Sequence, residues 1–289
     1  MSDAMPELNH RTVETNGVEL HVVTAGPTTG DPVLALHGFP EFWYGWRHQL
    51  PALVDEGYRV IVPDQRGYNL SDKPSGLGSY RLTELAADAV GLLDALGYEE
   101  ARLLTHDWGA AVGWQVLLEY PEYVTQAVTM NIPHPAVFDE YLFGDLRQTL
   151  NSTYMYFFQI PAFSEWALTA RNCRGLELFL DTSNSDEAFT PADRELYREA
   201  WQQPGAMTGM LNWYRSLLRR DPGGVPSMTV EPETMVIWGT QDRLLRTAMA
   251  EDSLDFCPNG RLELIEEGTH WVHHECAPRV NQLVCDFFE

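Results

Sequence analysis

The sequence predicts an α/β fold: a mostly parallel sheet flanked by helices, with a helical lid inserted between two strands. Three observations predict it. Short apolar runs alternate with helical stretches of roughly 10–15 residues, the rhythm of strands joined by crossover helices. The polar residues able to do chemistry, His37, Asp107, Asn131, Asp242 and His270, fall just past the ends of those runs. The alternation also breaks once, between about Pro133 and Arg220, where aromatic helical patterns appear without a convincing buried strand.

The elements follow in order. RTVETNGVELHVVTAG reads as two strands around an Asn16–Gly17 turn. Val33–Leu36 is an apolar strand ending in His37-Gly38-Phe39-Pro40, with a helix expected from about Tyr44 to Glu56. Arg59–Pro63 runs into Asp64-Gln65-Arg66-Gly67, and Thr83–Leu96 has helical periodicity stopped by Gly97. Ala101–Leu104 precedes His106-Asp107-Trp108-Gly109 and a helix to Tyr120, halted by Pro121. Thr125–Met130, Thr234–Trp238 and Arg261–Ile265 complete the strands, the last two each followed by helical sequence. This divides the chain into a core at 1–133, a helical cap at 134–220 and the rest of the core at 221–289, with Asp221–Pro226 as the return loop. In open parallel sheets ligands bind beyond the carboxyl ends of the strands, so the site is expected between core and lid.

Composition narrows the partners. The 289 residues carry 42 acidic and 19 basic side chains, a net charge of −23, and Lys73 is the sole lysine. Nucleic acid, which is bound by displacing counterions with Lys and Arg, is excluded as a partner, and an anionic membrane surface is disfavoured. No apolar run approaches the ~20 residues of a spanning helix. The polar N-terminus lacks the pattern of a signal peptide, and Cys173, Cys257, Cys276 and Cys285 form no CxxC pair, so a reducing cytoplasm is expected. The acid excess reads either as a solvated surface or as adaptation to high salt, which would screen its self-repulsion.

Thr105-His106-Asp107-Trp108-Gly109 lies at a strand-to-helix junction with the small-x-nucleophile-x-Gly spacing of a nucleophile elbow, Asp standing where Ser is usual. Alone, Asp107 reads equally well as a helix N-cap. Asp242, ending Trp238-Gly239-Thr240-Gln241-Asp242, and His270, in Glu266-Glu267-Gly268-Thr269-His270, then supply an acid and a base in the nucleophile–acid–base order of α/β-hydrolases. His270-x-x-His273-His274 could suggest zinc, but no HExxH accompanies it, and His273 and His274 are expected in structural or surface roles.

With these motifs in place, the chain resembles an α/β-hydrolase of the epoxide hydrolase family over nearly its full length. The matching segments are His37-Gly38-Phe39-Pro40, Asp64 to Pro74, His106-Asp107-Trp108-Gly109, Trp238 to Asp242 and Gly268-Thr269-His270-Trp271. In the lid, Tyr154-Met155-Tyr156-Phe157-Phe158-Gln159 resembles the family's Y-x-x-x-F-Q segment and Asn212-Trp213-Tyr214-Arg215 its N-W/Y-Y-R segment. The resemblance implies that Tyr154 and Tyr214 hold the epoxide oxygen, Tyr156 being the alternative to Tyr154. It implies an ether-bond hydrolase forming a diol through an ester on Asp107, with His270 and Asp242 activating water. Backbone N–H groups of Phe39 and Trp108 would form the oxyanion hole, and His37, Pro40, Trp108 and Phe158 would line a pocket for a small apolar epoxide. No metal or organic cofactor is needed, and the chain is expected as a monomer or homo-oligomer. Thr105 departs from the family's usual Gly, in a crowded position.

Haloalkane or haloacid dehalogenases share the Asp nucleophile, but Phe39 offers no side-chain donor to a halide and Trp108 cannot hold a carboxylate as Arg does. A ligand-binding receptor on a hydrolase fold is the alternative of another class.

Overall fold

The computed structural model describes residues 4–217 and 227–289, so the expected return loop at Asp221–Pro226 lies outside the described residues. Eight strands, β1 (Asn9–Thr15), β2 (Val18–Ala25), β3 (Pro32–Leu36), β4 (Arg59–Pro63), β5 (Ala101–His106), β6 (Val124–Met130), β7 (Glu233–Gly239) and β8 (Gly260–Ile265), form one sheet. Its order is β1-β2-β4-β3-β5-β6-β7-β8. Only the β1–β2 and β2–β4 pairings are antiparallel. The register pairs Leu36 with Thr105, His106 with Met130 and Met130 with Ile237. The central strands therefore end flush, and the loops that follow them emerge along one edge.

The strands are apolar because both faces are covered. Leu103 packs with α2 (Leu82–Leu96), α3 (Trp108–Glu119) and the inserted helices, whereas its neighbour Leu104 packs on the other face with the helices Gln49–Asp55 and Ala277–Phe288. The helix expected from Tyr44 divides into a 3-10 turn at Trp43–Trp46 and α1, the helix Gln49–Asp55. Pro51 explains the break: without an N–H it fits the first turn of a helix and not its interior.

Among the described residues, six helices lie between β6 and β7: α4 (Pro135–Gly144), α5 (Leu146–Asn151), α6 (Thr153–Phe157), α7 (Phe163–Leu180, interrupted at Ala170–Cys173), α8 (Pro191–Trp201) and α9 (Ala206–Leu217). α10 (Ala248–Ser253), α11 (Val272–Glu275) and α12 (Ala277–Phe288) complete the chain. α9 is seated on the loop after β4. A Cβ on Gly209 would stand 2.5 Å from Gly67 O, and Trp213 Nε1 donates to Arg66 O at 2.9 Å. α8 is tied to the loop after β3 by Trp201 Nε1 donating to Pro40 O at 2.5 Å. The insertion thus covers the sheet edge from which the loops emerge. No helix among the described residues is long and apolar enough to cross a membrane.

Candidate active site

The β5-to-α3 junction sets the site. Asp107 takes φ 49°, ψ −125°, a conformation L residues rarely adopt, and its side chain makes no capping bond to α3. Its backbone carbonyl starts the helix instead, accepting from the N–H groups of Ala110 (2.8 Å) and Ala111 (3.0 Å). The carboxylate is thereby left free of the cap role and aimed out of the turn. Gly38 makes room for it, since a Cβ there would lie 2.4 Å from Asp107 Cβ. Thr105, in the crowded position behind, is fully buried and donates from Oγ1 to Val128 O at 3.0 Å. The space comes from α3: a Cβ on Gly113 would lie 2.9 Å from Thr105 Cγ2.

Asp107, Asp242 and His270 converge although 135 and more residues separate the first from the others. His270 Nδ1 donates to Asp242 Oδ2 at 2.8 Å, and Nε2 lies 3.3 Å from Asp107 Oδ2. Asp242 Oδ1 accepts from the N–H groups of Leu244 (2.7 Å) and Leu245 (3.0 Å). Asn131 donates to Asp242 Oδ2 at 2.8 Å, and its Oδ1 accepts from Gly239 N–H at 3.2 Å. Asn131's place just past β6 marked it in the sequence; this contact assigns it the task of steadying Asp242. Of the two expected backbone donors to Asp107, Phe39 N–H makes the bond, 2.7 Å to Oδ1.

Above this group lies a cavity of about 500 Å³ whose walls include Asp107, Trp108, His270, Tyr154 and Tyr214. The rings of Tyr154 and Tyr214 stand 5.9 Å apart. Tyr156, by contrast, is 47% exposed, because two steps along α6 turn a side chain to the opposite face. The lid segments brace one another: Gln159 Nε2 donates to Tyr214 O at 3.0 Å, and Arg215 Nε donates to Phe158 O at 2.9 Å. Three expected pocket residues stand elsewhere. His37 is wholly buried beneath the floor, its Nε2 accepting from Gln65 N–H at 3.1 Å. Pro40 faces α8. Phe158 packs behind Tyr214, ring centres 4.8 Å apart, backing the wall rather than forming it. Met155, Trp213 and Phe138 line the cavity in their stead, and no sequence signal separated them from core aromatics.

Burial would raise the Asp107 pKa, but His270 outweighs it and holds the carboxyl below its usual range. Burial would lower that of His270; Asp242 and Asp107 overcome this and raise it to about 10. Burial, reinforced by the Asp107 charge, pushes both Tyr154 and Tyr214 well up, so both phenols keep their protons.

His273 and His274 are buried on α11 and do not join His270. They surround Glu41: Oε1 accepts from Tyr197 O–H (2.7 Å) and His274 Nε2 (2.8 Å), while His106 and His273 nitrogens lie 3.3 Å from Oε2. Among the described residues, Glu41, His273 and His274 are the one group whose ligand-type atoms lie within 4.8 Å of one another. The two imidazole centres are 3.9 Å apart. Two rings bound through ~2.0 Å bonds to one tetrahedral metal would stand roughly 5 Å apart, so these rings stand closer than that arrangement asks. His106 links it to the site, its Nε2 donating to His270 O at 2.8 Å.

A family model for the alpha/beta hydrolase fold matches residues 31–276. The AB hydrolase superfamily protein YfhM of Bacillus subtilis is 44% identical over 277 residues, 96% of each chain. Epoxide hydrolase 4 of Mus musculus is 37% identical over 283 residues, covering 96% of this chain and 78% of that one. The crystal structure of Bacillus megaterium epoxide hydrolase in complex with an inhibitor superposes with a TM-score of 0.89 at 32% identity, covering 96% of this chain and 99% of the other.

Proposed function

The chain belongs to the epoxide hydrolase family of α/β hydrolases, and from that footing we propose that it adds water to an epoxide through an ester on Asp107, releasing a vicinal diol. The observation that carries the reading is the placement of two protonated phenols, Tyr154 and Tyr214, around the same cavity as the Asp107 carboxylate.

Asp107 attacks an epoxide carbon, the C–O bond breaks, and the oxygen leaves as an alkoxide. Tyr154 and Tyr214 donate hydrogen bonds to that oxygen, and one supplies its proton, because a phenol is a stronger acid than the alcohol that the alkoxide becomes. Ester formation removes the Asp107 charge beside His270 Nε2. One of the two carboxylates that hold the imidazolium is then gone, its proton passes to the tyrosinate left by the first step, and neutral His270 becomes a base while Asp242 keeps its orientation. Water loses a proton to His270 and attacks the carbonyl carbon of the Asp107 ester. Phe39 N–H stabilises the oxyanion, and the expected second donor is Trp108 N–H. Cleavage frees the diol and restores the carboxylate. A carboxylate nucleophile suits this chemistry because its ester can be hydrolysed; a serine ether could not. The helical insertion, 134–220, serves as the cap that closes the cavity.

Diol formation from styrene oxide and aliphatic epoxides tests the reading, run beside 1-bromobutane and fluoroacetate. Asp107→Ala is expected to abolish turnover, and Tyr214→Phe to lower kcat/KM by about 10²-fold, the usual cost of losing a donor to a developing oxyanion. Halide release without diol would reassign the site to dehalogenation.

A further inference from the structure

His270 stands on a loop, Gly268–Trp271, and a base on a loop keeps its aim only if something holds the loop. Here the holder is Glu275, at the end of α11. Its carboxylate accepts from Thr269 N–H at 2.7 Å and Thr269 O–H at 2.8 Å, on the residue preceding His270. It also accepts from Ser183 O–H at 2.5 Å and Asn184 N–H at 2.8 Å, in the loop between α7 and α8. Asn184 continues the tie to the acid loop. Its Nδ2 donates to Gln241 Oε1 at 2.7 Å, and its Oδ1 accepts from Arg243 at 3.1 Å. Gln241 N–H in turn donates to Gly268 O at 2.9 Å. None of these side chains reaches the cavity.

We propose that Glu275 is a positioning residue for ester hydrolysis, locking the His270 loop to the inserted helices so that the base is aligned once the cap is seated. The inference rests on the two-step reading above. In ester formation His270 acts only as a neighbouring charge, which tolerates a small displacement. In hydrolysis it must take a proton from a water aimed at one carbon, where a misplacement of ~1 Å can cost about 10²-fold. Weakening the clamp should therefore slow the second step more than the first.

The test is Glu275→Gln, which keeps the size and one acceptor oxygen but turns an NH2 group toward N–H and O–H donors. Wild type, Glu275→Gln and His270→Gln are mixed with styrene oxide, quenched in the steady state and weighed intact. The Glu275→Gln enzyme is expected to show kcat lowered roughly 10- to 100-fold with KM lowered in parallel, and a covalent adduct one epoxide heavier as its main species. A simple loss of fold would lower activity without adduct. Loss of kcat without adduct, or an unchanged kcat, overturns the proposal, provided His270→Gln accumulates the adduct; absence of adduct in His270→Gln instead overturns the ester reading. Should Glu275→Gln fail to fold, Ser183→Ala removes one of the two bonds from the α7–α8 loop to Glu275 and leaves those to Thr269 in place. A raised adduct fraction in that variant supports the proposal, and an unchanged one overturns it.

Discussion

His270 lies between two carboxylates, and its charge is set by whichever of them is ionised. With both charged its pKa is raised to about 10, so the resting enzyme holds an imidazolium at neutral pH. Such a cation cannot accept a proton from water. If water activation depended on the resting value, turnover would climb until about pH 10. On the proposed mechanism, esterification of Asp107 would remove one partner, so the hydrolysis step is expected to gain its base well below that pH. Two measurements check this. NMR titration of the His270 imidazole should place its pKa near 10 in the wild type and clearly lower in Asp107→Ala; equal values would sink the argument. Single-turnover hydrolysis should show an acid limb below the resting titration. At this scale the sequence was most legible where a residue's position announced its place at the site. Asp107, Asp242 and His270 stand just past strand ends, and Tyr154 and Tyr214 sit in distinctive segments. Glu41 and Glu275 gave no such signal. Glu41 acquires its partners from 65 to more than 230 residues away, and Glu275 meets Ser183 across 92, proximities that only the fold creates. His37, Pro40 and Phe158 were misplaced for a related reason: a motif shows that a residue is near the site, not which side of the wall it occupies.

Among elements, the contact between β5 and α3 decides the aim of Asp107. Thr105 fills the place where a glycine was expected, and α3 responds with Gly113. Gly113→Ala should raise helix propensity by about 1 kcal/mol. Its methyl, however, would enter at 2.9 Å from Thr105 Cγ2, which cannot swing away without breaking the Oγ1 bond to Val128 O. Overpacking of that kind costs about 1–3 kcal/mol, so the variant is expected to melt below wild type. Thr105→Ser removes the obstructing methyl and keeps the hydroxyl. In that background Gly113→Ala should recover most of the loss, and thermal melts of the four proteins give the coupling directly; additive losses would remove the explanation. The strands and most helices were legible because their periodicity is local. The helix expected from Tyr44 was not, because a proline three residues into α1 carried more weight than the apolar pattern upstream.

The whole molecule carries its charge unevenly in physical effect. Some ionised groups are buried in tight pairs, as where Arg66 meets both oxygens of Asp88 at 2.7 and 2.5 Å, and salt scarcely reaches them. The surplus of acids that gives −23 has no matching cations in the composition and repels itself through water. Raising salt from 0.1 to 1 M shortens the screening length from about 10 Å to about 3 Å, which quenches the repulsion and leaves the buried pairs intact. Melting temperature is therefore expected to rise with KCl toward molar concentrations, and activity with it, since the site's own charges are shielded in a cavity beneath the cap. The rise should appear with KCl and NaCl alike if simple screening is the cause. A melting temperature flat from 0.05 to 1 M, roughly a fourfold range in screening length, would mean that the acids are spaced widely enough to ignore one another and reflect composition alone. Charge reversal separates the cases further: replacing several exposed acids of the sheet core with lysine should lift stability in dilute buffer and flatten the salt response, while leaving the Asp107–His270–Asp242 geometry untouched.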